Sequence, residues 1–241
     1  MSTDERITEV MGELRGRSDP ASLAGMARYG IATDRSLGGT SVPQLRAMAK
    51  RSGKDHRLAA ALWETGIHEA RILATMVDDP ALVSEDQMEA WAADFRSWDL
   101  CDQCCSNLFS YAASNWKKAV EWSGREETYV RRASFALMAA LAVHDKKAAD
   151  GMFLDLLPLI ERAASDDRNY VKKAVNWALR QIGKRSSTLN AEAIACGERI
   201  QATGDRTGRW IAADALRELR SEAVQQRLRE RESKKHGGHR S

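Results

Sequence analysis

The 241-residue sequence has few prolines and few cysteines, and it has no long hydrophobic run. Its four prolines stand against plentiful alanine, leucine, glutamate and arginine, so long stretches are free of helix breakers. No alternating stretch of β-branched residues indicates a sheet. The composition therefore predicts an all-α fold.

Every apolar run is shorter than the roughly 20 residues that a membrane-spanning helix needs. The N-terminus, Met1-Ser-Thr-Asp-Glu-Arg, is polar and leads directly into an amphipathic pattern, which is not that of a signal peptide. We therefore expect a cytoplasmic protein with no membrane partner.

The four cysteines are too few and too closely grouped for a disulfide framework or a complete zinc site. They are Cys101, Cys104, Cys105 and Cys196. The Cys101-x-x-Cys104 spacing is found in zinc sites, but no second CxxC or HxxxH pair supplies the remaining ligands. Reduced, buried thiols are the better interpretation, and we expect neither a metal nor a cofactor.

Charge of the two signs is segregated along the chain. Residues 55–105 contain three lysines or arginines against eleven acidic residues, whereas residues 115–185 contain fourteen against nine. Segregated positive charge is typical of a nucleic-acid partner, although basic helix faces are often only solvated. Apolar periodicity ends at Val224, which predicts one domain over 1–224 and a basic, disordered tail over 225–241.

Two segments repeat at a spacing that has structural meaning. Tyr129-Val-Arg-Arg-Ala and Tyr170-Val-Lys-Lys-Ala begin 41 residues apart, and each opens an amphipathic helix. A third similarity relates Ala178-Leu-Arg-Gln-Ile to Ala215-Leu-Arg-Glu-Leu. A period near 40 residues is that of HEAT and armadillo helix pairs. We therefore predict a HEAT-like solenoid of antiparallel helix pairs with a concave face for ligands.

Further helices are indicated by apolar periodicity in the N-terminal third and between the repeats. Their predicted ranges are 2–16, 21–29, 42–52 with Pro43 at its start, 56–77 and 152–164. Residues 30–41 are polar and contain glycine, which predicts a connection without regular structure.

Helical periodicity also predicts which side chains of the repeats are exposed. In the helix that starts at Tyr170, the predicted core stripe consists of Val171, Ala174, Val175, Ala178 and Ile182. The opposite face consists of Lys173, Trp177, Arg180 and Lys184. A tryptophan among cations suits contact with a sugar or base beside phosphates. The alternative is that Trp177 packs against a neighbouring helix.

The helix that starts at Tyr129 has the same arrangement. Its predicted core stripe consists of Val130, Ala133, Ser134, Leu137 and Leu141, and Arg132 takes the position of Lys173. The neighbours of Arg132 on that face are the small Ala136 and Ala139, which would let a bulky polymer come close. Two consecutive repeats are therefore expected to direct cations the same way.

A third element combines a tryptophan with carboxylates. In Ser97-Trp98-Asp99-Leu-Cys-Asp102, Ser97 is a suitable N-cap and Asp99 lies in the first turn. Trp98 and Asp102 are four residues apart and share a helix face. They could form the polarised floor of an active site. Alternatively, Asp99 only caps the helix and Asp102 only holds an arginine of the next repeat.

At these residues the sequence resembles a known family. Its three signature blocks are matched by Trp98-Asp-Leu-Cys-Asp102, Tyr129-Val-Arg-Arg132-Ala and Val171-Lys-Lys-Ala-Val-Asn-Trp177-Ala-Leu-Arg180, in the same order. Ala27-Arg-Tyr29 and the segment from Val42-Pro43 are also similar. The resemblance, which spans about 21–219, is to the DNA alkylation repair (AlkD-type) family.

The resemblance implies a curved HEAT-like stack whose concave basic face holds duplex DNA. It implies hydrolysis of the N-glycosidic bond of cationic N3-alkyladenine or N7-alkylguanine, with no metal or cofactor, by a monomer that is cytoplasmic, of bacterial type, and associated with the nucleoid when bound. Carried over by residue, the catalytic carboxylate is Asp102, the sugar-facing tryptophans are Trp98 and Trp177, and Arg132 grips a phosphate. The predicted DNA contacts are Tyr29, Arg131, Lys172, Lys173, Arg180 and Lys184.

Two departures from the family pattern leave other functions open. Ser97 stands where an aromatic residue is frequent, and Asn176 stands where glycine is usual. A non-catalytic binder of DNA structure would keep the basic groove but hold Asp102 in an internal ion pair. A HEAT scaffold for a protein partner would have an apolar or acidic groove, and the cation-flanked Trp177 counts against it.

Overall fold

The computed structural model describes residues 2–31 and 33–237, and helices dominate it. The described residues form no strand, and their one β-type contact is an isolated bridge between Asp19 and Gly38. None of the described helices has the length and apolarity needed to cross a membrane. The all-α prediction is confirmed.

The chain divides into two compact units, of which the first ends at Asn115 and the second begins at Trp116. The single domain over 1–224 stays a prediction. In the first unit the helices are α1 (Thr3–Gly16), α2 (Pro20–Arg28), α3 (Val42–Ser52), α4 (His56–Glu64), α5 (His68–Val77), α6 (Glu85–Ala93) and α7 (Trp98–Asn107). Short 3-10 turns follow α5 and α7.

The N-terminal helices follow the local signals closely. The Ser2 hydroxyl accepts a hydrogen bond from the Glu5 amide at 3.2 Å, and the Glu5 carboxylate accepts one from the Ser2 amide at 2.8 Å. This capping box satisfies two amides that the first turn of α1 leaves without carbonyl partners. Helix α3 has the predicted bounds, with Pro43 in its first turn.

The predicted helix over 56–77 is wrong, because the structure has two helices there. Gly66 has a φ of +67°, a left-handed conformation that glycine adopts without strain. It ends α4, and α5 begins two residues later at His68. Helices α4 and α5 then pack on each other through buried leucines, including Leu62 and Leu73. The apolar periodicity of the sequence continues across the break, because the buried face of α4 is followed by the buried face of α5.

The described residues of the connection over 30–41, which are all but residue 32, lack helix, as predicted, and a buried carboxylate holds part of the segment in place. Glu69 on α5 accepts hydrogen bonds from the amides of Leu37, at 3.0 Å, and Gly38, at 2.9 Å, and from the Ser36 hydroxyl. A Cβ atom on Gly38 would lie 2.4 Å from the Asp19 carbonyl oxygen. The segment therefore needs both this glycine and Glu69 to lie against the unit.

The second unit contains the repeats. Its helices are α8 (Asn115–Glu121), whose first residue is the last of the first unit, α9 (Thr128–His144), α10 (Asp150–Leu154), α11 (Leu157–Ala163), α12 (Asn169–Gly183), α13 (Ser187–Ala202), α14 (Arg206–Leu219) and α15 (Glu222–Gly237). Helix α12 packs against α9 on one side and α14 on the other, and α13 packs against both α12 and α14.

Equivalent positions of the predicted repeats meet in space. The rings of Tyr129 and Tyr170 lie 5.6 Å apart, at the N-terminal ends of α9 and α12. At the other end, the Arg185 guanidinium donates to the carbonyls of Ala142 and Ala148. Helices α9 and α12 therefore run in the same direction, as the long helices of successive HEAT-like repeats do. The 41-residue period is thus a period of the structure.

The predicted core stripes of α9 and α12 are both buried. The predicted open face of α9 is wrong, however, because Ala136 and Ala139 are fully buried and Arg132 is only 5% exposed. From Ala133 to Ala142 helix α9 has apolar residues on every side, including Phe135 and Met138 between the stripes, and all residues of this stretch are buried.

Two further predictions are corrected in the second unit. The helix predicted over 152–164 is two short helices, α10 and α11, with Pro158 in the first turn of α11. Proline has no amide hydrogen to donate and so belongs at the start of a helix. The tail from 225 is helical as far as Gly237. The buried side chains of Val224 and Leu228 anchor the first half of α15 on one face. Residues 238–241 of that predicted tail lie outside the described residues.

Candidate nucleic-acid interface

Trp98 and Tyr29 are neighbours in the first unit. Trp98 begins α7, is half-buried, and donates its indole N–H to the Tyr29 carbonyl at 2.8 Å. Tyr29 follows the last residue of α2, and it is 75% exposed. The hydrogen bond connects the end of one helix to the start of another. It fixes the indole of Trp98 against the backbone of Tyr29, whose side chain is exposed.

Asp102 lies one turn after Trp98 on α7 and is half-buried. The spacing of four residues puts the two side chains on the same face of this helix. Ser97 occupies the N-cap position, is buried, and makes no capping hydrogen bond with its side chain.

Asp99 faces the interior rather than sharing the position of Asp102. Its carboxylate pairs with His68 of α5, with 2.8 Å between Oδ2 and the imidazole Nε2. Burial alone would raise the pKa of Asp99, but the hydrogen bond and charge from His68 outweigh it, so the pKa lies below its usual 3.8. This pair of a buried imidazole and a half-buried carboxylate joins α7 to α5 and so positions the helix that carries Trp98 and Asp102.

Arg132 is directed toward protein backbone in the second unit. Its guanidinium Nη1 donates to the Tyr170 carbonyl at 2.6 Å, at the start of α12. The neighbouring Arg131 pairs with Asp166 at 3.4 Å, and Arg168 pairs with the same carboxylate. These arginines stabilise the junction between α9 and α12. The contacts that the sequence predicts between Arg131, Arg132 and DNA phosphates stay a prediction.

Two residues predicted on α12 meet solvent. Lys173 is exposed and forms no ion pair with any described residue. Trp177, one turn later, is half-buried, and its indole N–H has no acceptor among the described residues. The helix therefore presents a partly exposed tryptophan and an exposed ammonium group one turn apart, as its periodicity predicts.

The other two predicted cations on α12 are engaged by acidic residues of α14. Arg180 and Lys184 both bind the carboxylate of Glu218, with 2.6 Å between Lys184 Nζ and Glu218 Oε1. Burial opposes the charge on Glu218, but its hydrogen bonds to Lys184 and Arg180 lower its pKa below the usual range. The positive charge of Arg180 and Lys184 is thus partly neutralised, and contact of these two residues with DNA stays a prediction.

An exposed tryptophan on α14 adds to the predicted set. Trp210 is 45% exposed, and Lys172 of α12 lies over its ring with Nζ 5.6 Å from the centroid. Sequence reasoning missed this residue. The repeat similarity contained the signal, because aligning Ala178 with Ala215 places Trp210 at the position of Lys173.

The departure at Asn176 has a structural role. This side chain is buried and donates a hydrogen bond from Nδ2 to the Ile211 carbonyl of α14 at 3.0 Å. A glycine could not make this contact. Asn176 therefore links two repeats of this protein.

The cysteines are free and buried, as predicted. Among the described residues no group of three or more His, Cys, Asp or Glu side chains is arranged to hold a metal ion.

Comparison with known proteins agrees with the helical repeats described above. The repeats themselves place the chain among HEAT-like proteins. A family model described as DNA alkylation repair enzyme then matches residues 10–219, so the chain belongs to that family. None of the curated proteins compared with the chain matches it.

A solved structure is similar to this fold with a TM-score of 0.71 and 19% sequence identity, over 80% of this chain and 82% of the other. It is described as a member of a new family of proteins related to the HEAT-like repeat DNA glycosylases with affinity for branched DNA structures. At that identity the similarity establishes the HEAT-like fold of the chain.

Proposed function

We propose that this protein is a DNA glycosylase that hydrolyses the N-glycosidic bond of cationic alkylated purines, such as N3-alkyladenine and N7-alkylguanine, in duplex DNA. The observation that carries the proposal is the geometry of α7. An indole held by a hydrogen bond lies one turn from a half-buried carboxylate on the same helix face. Membership of the DNA alkylation repair family supports the same chemistry.

The substrate's own charge explains why so few groups are needed. A purine alkylated at N3 or N7 is cationic, so the bond from C1′ to the base nitrogen breaks with its electron pair going to the base. The base leaves neutral and needs no general acid. Positive charge then develops on the sugar, as it does in glycoside hydrolysis generally.

Asp102 is the residue proposed to stabilise that charge. Its carboxylate would face the developing oxocarbenium ion and orient a water molecule whose oxygen bonds to C1′. The water's proton passes to the carboxylate or to solvent, which balances the reaction. The face of Trp98, on the same helix, would add cation–π stabilisation of about 0.5–2 kcal/mol. The same role for Trp177 stays a prediction.

The DNA backbone is the proposed partner of the basic residues. Lys173 is exposed and without a carboxylate partner among the described residues, which suits a phosphate contact. Lys172, Arg131 and Arg132 would add positive charge at the N-terminal ends of α9 and α12, and Tyr29 would contact the strand near Trp98. Arg180 and Lys184 would have to share their charge with Glu218.

The test is release of N3-methyladenine and N7-methylguanine from methylated duplex DNA by the wild type and by Asp102→Asn. We expect the substitution to slow release by about a hundredfold to a thousandfold, as loss of one electrostatic stabiliser does, while duplex affinity changes little. Asp86→Asn is the matched control, because Asp86 is an exposed carboxylate in the first turn of α6 in the same unit. It should leave release unchanged.

The outcomes separate the parts of this proposal. A wild type that binds duplex DNA but releases neither base would exclude the glycosylase function. Release that persists in Asp102→Asn would retain the enzyme but refute the assignment of its carboxylate.

A second candidate function is non-catalytic binding of DNA structure. It is favoured by Arg132, which is 5% exposed and hydrogen-bonded to the Tyr170 carbonyl rather than open to a phosphate. The affinity for branched DNA ascribed to the structurally similar protein is consistent with it. Binding without base release, stronger for a four-way junction than for a duplex, would support this candidate.

A further inference from the structure

We propose that a surface centred on Trp210 binds an unpaired nucleotide of DNA, with the base stacked on the indole and its phosphates beside lysine and arginine. We call this surface the Trp210 patch, and it consists of Lys172, Lys173, Arg206, Arg209 and Trp210. The inference rests on the proposed DNA-binding function and extends it to DNA that is not fully paired.

Trp210 is the largest side chain among the exposed hydrophobic residues of the second unit, at 45% exposure. The neighbouring Thr207, Gly208 and Ile211 on α14 are buried, so the helix is well packed at this point and still presents the indole to solvent. Tryptophan side chains are mostly buried in folded proteins, so a large exposed indole on a packed helix indicates an interaction surface.

Cations of two helices contact this indole or lie close to it in sequence. Lys172 of α12 lies over the ring at 5.6 Å. On α14, Arg206 precedes Trp210 by four residues and so shares its face, and Arg209 is adjacent to it in sequence. Lys173 follows Lys172 in the first turns of α12.

These cations differ from those further along the same helices. Arg180, Lys184 and Arg217 are paired with Glu218 or Asp214. Lys173, Arg206 and Arg209 are exposed, and none of them forms an ion pair with a described residue. Cations near Trp210 thus keep their positive charge available, whereas those further along α12 and α14 are neutralised by carboxylates. The available positive charge of the Trp210 patch suits an anionic partner.

The indole decides which form of DNA fits. In an intact duplex the faces of the bases are stacked on one another, and only phosphates, sugars and base edges reach the surface. An unpaired nucleotide exposes its face, and a base stacks on an aromatic side chain with little regard to sequence. Lysines alone would serve a duplex, whereas a tryptophan between cations is suited to a single-stranded segment.

The experiment compares two DNAs that differ only in unpaired nucleotides: a blunt duplex, and the same duplex with a single-stranded thymidine extension. Affinities are measured for the wild type, Trp210→Ala and Trp210→Phe, and for Met152→Ala as a control at another exposed apolar residue (40%) of the unit. Thermal unfolding is measured for every variant, so that only folded proteins are compared.

We expect Trp210→Ala to weaken binding of the extended DNA about tenfold and of the blunt duplex much less. Trp210→Phe, which keeps a stacking face, should retain most of the affinity, and Met152→Ala all of it. Equal losses on both DNAs, or none, would overturn this inference while leaving DNA binding intact. A wild type that binds neither DNA would refute the proposed function as well.

Discussion

At the start of α7, the adjacent residues Trp98 and Asp99 have different partners. The indole N–H of Trp98 binds the Tyr29 carbonyl, and the Asp99 carboxylate binds the buried imidazole of His68. Each contact fixes the orientation of the helix by which Asp102 is presented. The orientation of the proposed site therefore depends in part on His68 and Asp99, which are not proposed to touch the substrate.

The His68–Asp99 pair leads to a prediction about stability. Asp99→Asn should lower the free energy of unfolding at pH 7 by about 1–3 kcal/mol, because it leaves a buried imidazole without its charged partner. Since the pKa of Asp99 is lower in the folded protein than its usual 3.8, its contribution is full above that value and is lost as the pH falls through the folded pKa.

Urea unfolding of the wild type and of Asp99→Asn from pH 7 down to pH 3 provides the measurement. The two proteins should differ at pH 7 and converge toward the acid end of the range. A difference that stays constant with pH would mean that the ion pair is not its cause.

At the scale of the helices, close packing at Gly183 leads to a second prediction. A Cβ atom there would lie 2.7 Å from Leu219 Cδ2 and 2.9 Å from Ala193 Cβ. Gly183→Ala should therefore destabilise the protein by about 1–3 kcal/mol, since α12, α13 and α14 would have to move apart. The measurement is chemical unfolding followed by far-UV circular dichroism.

Gly151→Ala is the matched control for this substitution. Gly151 lies in a helix of the same unit, and a Cβ atom there would have no neighbour within 4 Å. Alanine should be neutral or slightly stabilising at this position. If both substitutions destabilised equally, the close contact at Gly183 would not be the reason.

The two main repeat helices illustrate how far sequence reasoning extends. On α12 the predicted stripe is buried, and Lys173 and Trp177 reach solvent. On α9 the same periodic argument was wrong about Ala136, because tertiary packing also buries the face opposite the core stripe. Periodicity identifies the most apolar face, but the number of neighbours that a helix has is set by tertiary packing.

Charge partners were the other part that sequence reasoning could not supply. Arg180 and Lys184 lie on the predicted face of α12, but Glu218, more than thirty residues later, engages both. A helical wheel shows the residues of one helix only, so it cannot show a carboxylate that comes from the next repeat. The helix breaks at Gly66 and before Pro158 are local, by contrast, and glycine and proline at these positions could have indicated them.

At the scale of the whole chain, the distribution of positive charge predicts how DNA binding depends on salt. Each phosphate contact adds about 0.9 to the slope of log affinity against log salt concentration. Lys173→Ala removes an exposed cation that has no ion pair among the described residues, so it should reduce that slope by about 1. Fluorescence anisotropy with duplex DNA at several salt concentrations measures it.

Arg199→Ala is the control for this substitution. Arg199 is in the same unit, but its guanidinium already binds Glu161 at 3.0 Å. The slope should be unchanged by its removal. A slope that is insensitive to Lys173→Ala would exclude Lys173 from the phosphate contacts.

The burial of the cysteines has a consequence for a protein that works where alkylating agents are present. Thiolates are the nucleophiles that soft electrophiles attack first, whereas a thiol that stays protonated is inert. All four cysteines are buried, and burial raises the pKa of Cys104 well above its usual range and that of Cys196 to about 12. The alkylating agents that would create the substrate in DNA are therefore not expected to react readily with the cysteines of the protein that is proposed to repair it.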